Sequence, residues 1–139
     1  FEFTFEEDKQ PNFEVFKKLN SIELHYLAAI YNWDDGVEVL NWIIDSPKCL
    51  KATASLLFWR SEPDHYTQYN DSNVDEMDED VYHLVRKILN KFIANSFKKS
   101  FIGFDPIKEG ADVNYKRKDE LWSIPEKIKT KVPGVSLFA

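Results

Sequence analysis

Residues 24–59 read LHYLAAIYNWDDGVEVLNWIIDSPKCLKATASLLFW, and the fold is decided there. The stretch holds three of the four tryptophans and the only cysteine. Its pattern predicts three helices joined by two tight turns. From about Ser21 to Asn32, the residues Leu24, Tyr26, Leu27, Ala28, Ala29, Ile30 and Tyr31 leave no polar face, as in a buried helix. Asp34 or Asp35 then suits an N-cap, because a short acceptor side chain bonds the free amide hydrogens of the next turn. Asp35 and Glu38 have capping-box spacing, with Asp in place of Ser or Thr. Val37, Leu40, Ile43 and Ile44 form the apolar stripe of the second helix. Pro47 cannot continue it, so a turn falls at Asp45-Ser46-Pro47-Lys48. The third helix runs from about Leu50 to Trp59 and ends before Pro63.

Upstream, Phe1-Glu2-Phe3-Thr4-Phe5-Glu6 alternates with the period of a half-buried strand. Phe101-Ile102-Gly103-Phe104 and Val135-Ser136-Leu137-Phe138 are its candidate partners in a small β element. Asn12 caps a first short helix in which Phe13, Phe16 and Leu19 share a face, and Asn20 closes it and can cap the next. Residues 61–74 read as loop, with the aromatic rings of His65, Tyr66 and Tyr69 among acids. The longest helix is expected from Asp75 to about Phe97. Its core-facing stripe comprises Met77, Val81, Leu84, Val85, Ile88, Leu89, Phe92 and Ile93. A last short helix is expected from Pro125 to Lys131, where proline suits a first helical position.

A chain of 139 residues with 43% hydrophobic and 15% aromatic side chains can fill one core, which predicts a single domain over residues 1–139. One cysteine excludes an internal disulfide and fits a reducing compartment, so a cytoplasmic protein is expected. No apolar run approaches the roughly 20 residues that span a bilayer. With Phe1 in place of an initiating Met, residues upstream are expected, and nothing present reads as a signal peptide. The net charge of −6 argues against direct nucleic-acid binding, which needs cations to displace counterions. The charge is unevenly spread: −4 over residues 1–60, −8 over 61–85 with no Lys or Arg, and +6 over 86–139.

No catalytic constellation stands out. The four glycines are isolated, so no phosphate-cradling loop can be built. A lone cysteine and three histidines without HExxH spacing give no zinc signature. The run from Asp71 begins like a calcium loop but has Glu76 and Tyr82 where Gly and Glu are required. Accordingly no metal or cofactor is expected. Cys49 reads as a small buried hydrophobe, His25 as a core or edge histidine, His83 as solvated, and Trp33, Trp42 and Trp59 as core. Asp34-Asp35 reads first as a helix start and second as a paired-carboxylate site. The acids at Asp75, Glu76, Asp78, Glu79 and Asp80 complement a helix dipole, each worth about 0.3–1 kcal/mol. Five crowded acids preceded by Glu62, Asp64 and Asp71 exceed that need. The surplus marks a candidate functional face.

Tyr31-Asn32-Trp33-Asp34-Asp35-Gly36, Asp45-x-Pro47-x-Cys49, Thr53-Ala54 and Leu57-Phe58-Trp59 together resemble the bacterial family catalogued as domain of unknown function 4274. The likeness covers about residues 20–66. Leu50 and Ala52 depart from the acidic residue and glycine that the family favours there, which puts the cap of the third helix in question. The resemblance implies a small bacterial, mostly intracellular protein, similar to the compact partners encoded beside bacterial toxins. It brings no catalytic residues with it.

The expected fold is mainly α, a compact helical domain of five or six helices, with the N-terminal strand in any small β element. The expected function is non-enzymatic: an immunity-type protein that neutralises a toxin through its acidic face. The partner is a basic protein, such as a nuclease-type toxin domain. The candidate partner-binding residues are Glu62, Asp64, Tyr66, Tyr69, Asp71, Asp75, Glu76, Asp78, Glu79 and Asp80. The alternatives are a small enzyme using Asp34, Asp35 or Glu38 with His25, and an adaptor or structural domain of a larger protein.

Overall fold

The computed structural model describes residues 11–137. Among them are six α-helices: α1 (Phe13–Phe16), α2 (Ser21–Ile30), α3 (Glu38–Asp45), α4 (Lys51–Arg60), α5 (Glu79–Ile93) and α6 (Glu126–Lys129). The protein is mainly helical, as expected. Three 3-10 segments, Trp33–Asp35, Pro63–Gln68 and Glu76–Asp78, link them. The strand expected at Phe1 to Glu6 lies outside the described residues.

The helix enclosed on every side is α4 rather than α2. Ala52, Thr53, Ala54, Ser55, Leu56, Leu57 and Phe58 are all buried, whereas Tyr26 and Ile30 of α2 are 41% and 56% exposed. Small residues on α4 let its neighbours approach closely. Leu24, Leu27 and Ala28 from α2, Leu40, Ile43 and Ile44 from α3, and Leu84, Val85, Ile88 and Phe92 from α5 complete one apolar cluster. Trp33, Trp42 and Trp59 pack against its margin, half-buried. The indole N–H of Trp59 donates to the Ile128 carbonyl at 3.0 Å and so fastens α6 to α4.

Helix starts follow the local chemistry, with one correction. Asn12 accepts from the Val15 amide at 3.2 Å. Asn20 and Glu23 form a reciprocal capping box, at 2.8 and 2.9 Å. The box expected at Asp35 and Glu38 does not form. Asn32 is the residue with extended backbone, and its side chain takes the Asp34 amide at 3.0 Å, winding Trp33–Asp35 into a single 3-10 turn. Gly36, at φ +92°, then redirects the chain, and α3 starts after Val37 without a side-chain cap. Helix α4 also lacks one; the Lys98 carbonyl accepts from the Lys51 amide at 2.7 Å instead.

The expected long helix is shorter than its pattern. Glu76–Asp78 is a 3-10 turn, and Met77, placed on the core stripe by spacing, is 95% exposed. The 3-10 turn breaks the 3.6-residue register before the stripe begins. At the other end Asn95 adopts left-handed φ 57°; the Ser96 amide reaches the Lys91 carbonyl and the Asn95 amide that of Phe92. That Schellman closure stops α5 and leaves Ile93 46% exposed. The expected loop over 61–74 contains the 3-10 segment Pro63–Gln68. Residues 101–104 do pair with 132–135, through isolated bridges Ile102–Val135 and Phe104–Val132. Gly103 permits this crossing, because a Cβ there would lie 2.6 Å from the Gly134 nitrogen and the Val132 oxygen. No helix among the described residues is long and apolar enough to cross a membrane.

Candidate functional site

The acidic segment is positioned by the end of α4. After Arg60 the chain reverses at Glu62, whose φ of 58° and ψ of 64° are left-handed. Pro63 then fixes the start of the 3-10 segment, which buries Pro63 and Thr67. Two bonds from the C-terminal third hold it: the Leu121 amide donates to the Thr67 carbonyl at 2.7 Å, and the Trp122 indole to the Tyr69 carbonyl at 2.9 Å. Asn70 and Asn73 close the next turn through their own side chains.

The candidate residues separate into three groups. In the first, acids are tied down by neighbouring rings. The Tyr69 hydroxyl donates to Asp78 at 2.7 Å, with Asp75 at 3.3 Å. His65 Nε2 lies 2.9 Å from the same Asp78 oxygen, and the Tyr82 hydroxyl donates to Asp71 at 2.9 Å. The Tyr69 bond, followed by the His65 bond, holds the Asp78 carboxyl below the usual carboxylate range. Reciprocally, the bond to Asp78 is the main reason the Tyr69 hydroxyl is raised. Tyr82 is raised mainly by burial and then by Asp71. Tyr69 is only 8% exposed, so its ring supports the turn and is not a contact surface.

The second group, Glu76, Glu79 and Asp80, is exposed at the start of α5. Glu79 Oε1 lies 3.8 Å from His83 Nε2. The third group faces elsewhere. Glu62 and Asp64 line a cavity of about 450 Å³ with Glu109 and Asp112, walled by Trp59 and Phe104. Tyr66, half-buried, packs edge-on against His65 at 4.9 Å between ring centres. Burial, Asp78 and Glu62 raise its hydroxyl pKa.

Sequence reasoning placed His65 among the acids without a role and missed Tyr82, Glu109, Asp112 and Trp122. Tyr82 sits four residues after Asp78 inside a helix, a spacing that gives no hint of its bond back to Asp71. Glu109 and Asp112 belong to the part of the chain with a net charge of +6, so composition points away from them.

The other candidates stay apart. His25 Nδ1 is 2.8 Å from the Thr53 hydroxyl inside the core. No hydrogen bond or ion pair joins His25 to Asp34, Asp35 or Glu38 among the described residues. Asp34 and Asp35 lie exposed on their turn. Tyr31, whose hydroxyl donates to the Gly36 carbonyl, is pushed up to about 12 by burial and then by Asp35 and Glu38. Burial pushes the Cys49 thiol up to about 12, partly offset by Lys91. Among the described residues no three His, Cys, Asp or Glu side chains converge as a metal cage.

A helical protein with a capped YNWDDG turn, a Pro-x-Cys turn and an acid-rich start to its longest helix is thereby defined. The chain belongs to the family described as Domain of unknown function (DUF4274), which matches residues 20–93 and so extends through α5. No curated protein and no solved structure matches it.

Proposed function

We propose that this protein is a non-enzymatic binding domain that holds a basic protein partner on its acidic face. One observation carries this. Among the described residues, none of Glu62, Asp64, Asp71, Asp75, Glu76, Asp78, Glu79 and Asp80 is ion-paired with a lysine or arginine. Four cations of the C-terminal third pair elsewhere: Lys87 and Lys91 with Asp45, Arg117 with Asp119, Lys129 with Glu126. Charge left without an internal counterpart speeds encounter with a basic surface and fixes its register. Glu76, Glu79 and Asp80 make the accessible edge. An immunity-type role in a bacterial cytoplasm fits such a face. The cations that a nuclease-type toxin uses on phosphate are its natural target.

The test is charge reversal of Glu76, Glu79 and Asp80 to Lys, leaving Asp78 and its ring contacts intact. Capture of the partner from the native cell should fall at least tenfold, with the unfolding midpoint unchanged. Undiminished capture by the reversed protein removes the acidic face from consideration.

A second reading rests on a different observation. The 2.9 Å contact between His65 and Asp78 is the carboxylate–imidazole arrangement that acid–base chemistry uses, in place of His25 with Asp34, Asp35 or Glu38. His65→Gln separates the two. It leaves partner capture intact if the protein only binds, and abolishes turnover if it is an enzyme.

A further inference from the structure

The outward face of α5 carries more than acids. Glu79 and Asp80 stand at its start, and Arg86, Lys87 and Lys91 follow toward its end. His83 and Asn90 between them are exposed. The apolar residues at or just beyond the two ends, Met77 and Ile93, are 95% and 46% exposed. Alongside the cationic half runs an open groove of about 970 Å³, whose lining includes Asp71, Arg86, Lys87, Lys91, Leu121 and Trp122. Its cations outnumber the carboxylates that pair with them. Arg86 lies over the Trp122 ring at 4.4 Å and has no carboxylate partner among the described residues. Lys87 and Lys91 share the single carboxylate of Asp45, at 3.1 and 3.9 Å; Lys91 also donates to the Ile44 carbonyl at 2.7 Å and lies over the Phe97 ring, but that carbonyl and ring carry no net charge to neutralise it.

We propose that this face is a self-association surface, on which a second copy of the chain docks with its α5 antiparallel to the first. The occupant follows from charge complementarity present on the chain itself. Asp80 and Lys91 are eleven residues apart, which is about three turns, so they occupy one edge of the exposed stripe. Reversing one helix against the other sets Asp80 of each copy opposite Lys91 of the other, and both contacts form at once by symmetry. The same arrangement brings Met77 level with Ile93 and opposes the two helix dipoles. A single helix pair buries less than the roughly 800 Å² per partner of a standard interface. The dimer is therefore weak and sensitive to salt.

The inference goes beyond the proposed function, although Asp80 serves in both. Lys91→Glu removes self-association while leaving every acid of the acidic face in place, so the two ideas fail separately. Sedimentation equilibrium of the whole chain over a wide concentration range should show a monomer–dimer equilibrium at low salt that weakens at least tenfold at high salt. Asp80→Lys alone and Lys91→Glu alone should each be monomeric, because each sets like charges together twice. An equimolar mixture of the two variants should dimerise again, and so should the double variant, since both restore opposite charges at both contacts. Circular dichroism checks that each variant is folded; if either single variant is not, the double variant alone decides. A wild-type chain that is monomeric throughout overturns the proposal. So does dimerisation that survives both single reversals, or a mixture and a double variant that both stay monomeric.

Discussion

The imidazole Nδ1 of His25 and the hydroxyl oxygen of Thr53 lie 2.8 Å apart where α2 crosses α4, both side chains inside the core. Burial, with Arg60 as a second cause, lowers the histidine from its ordinary 6.5 to about 4. Between those values the unfolded chain binds a proton that the native chain does not. Stability is therefore complete above about pH 6.5 and is lost as pH falls toward 4. Chemical unfolding should show the protein about 2 kcal/mol less stable at pH 5 than at pH 7 from this group. His25→Gln should flatten that slope; an unchanged slope would assign the loss to other groups.

Two caps give opposite expectations. Asn20→Ala removes the side-chain acceptor of the Glu23 amide in a capping box and should cost about 1 kcal/mol. Asp35→Ala, at the position that only resembles a cap in sequence, should leave the unfolding midpoint almost unmoved. Equal losses in the two variants would contradict the observed start of α3.

The Tyr69 hydroxyl is the first cause of the low Asp78 pKa. Tyr69→Phe should therefore raise it toward the ordinary carboxylate value, read by carboxyl NMR titration. The sign of the stability change follows. The bond stabilises the fold above the ordinary carboxylate pKa and its contribution fades as pH falls through the native value. Wild type and variant should thus converge in stability in acid and differ most near neutral pH. A carboxyl titration indifferent to the substitution would place the cause elsewhere.

Cys49, 1% exposed and raised to about 12, should not react with a thiol reagent at pH 8 while the protein is folded, and should react fully in denaturant. Rapid labelling of the native protein would mean that the turn after Pro47 opens.

Much of this was legible in order along the chain. Asn12 and Asn20 as caps, the Pro47 turn, and the stripe from Leu84 to Phe92 are all local signals, and the structure has each of them. The failures share a cause. Asp35 and Glu38 carry capping-box spacing, but Asn32 three residues earlier takes the extended backbone conformation first. Met77 fits a helical stripe by spacing, but a 3-10 turn rotates it outward. Spacing reports periodicity and is silent about where a register begins.

The sequence by itself determined that the protein is mainly helical and that its negative charge is concentrated between Glu62 and Asp80. These follow from interactions within one or two turns, whose energies depend on neighbours in the chain. Only the tertiary structure decided how those acids are used. It ties Asp71, Asp75 and Asp78 to buried tyrosines and sends Glu62 and Asp64 to a cavity shared with Glu109 and Asp112. Glu76, Glu79 and Asp80 remain exposed at the start of α5. The reason is that a carboxylate's role is set by what lies within a few ångströms of it, and residues far apart in sequence supply those neighbours.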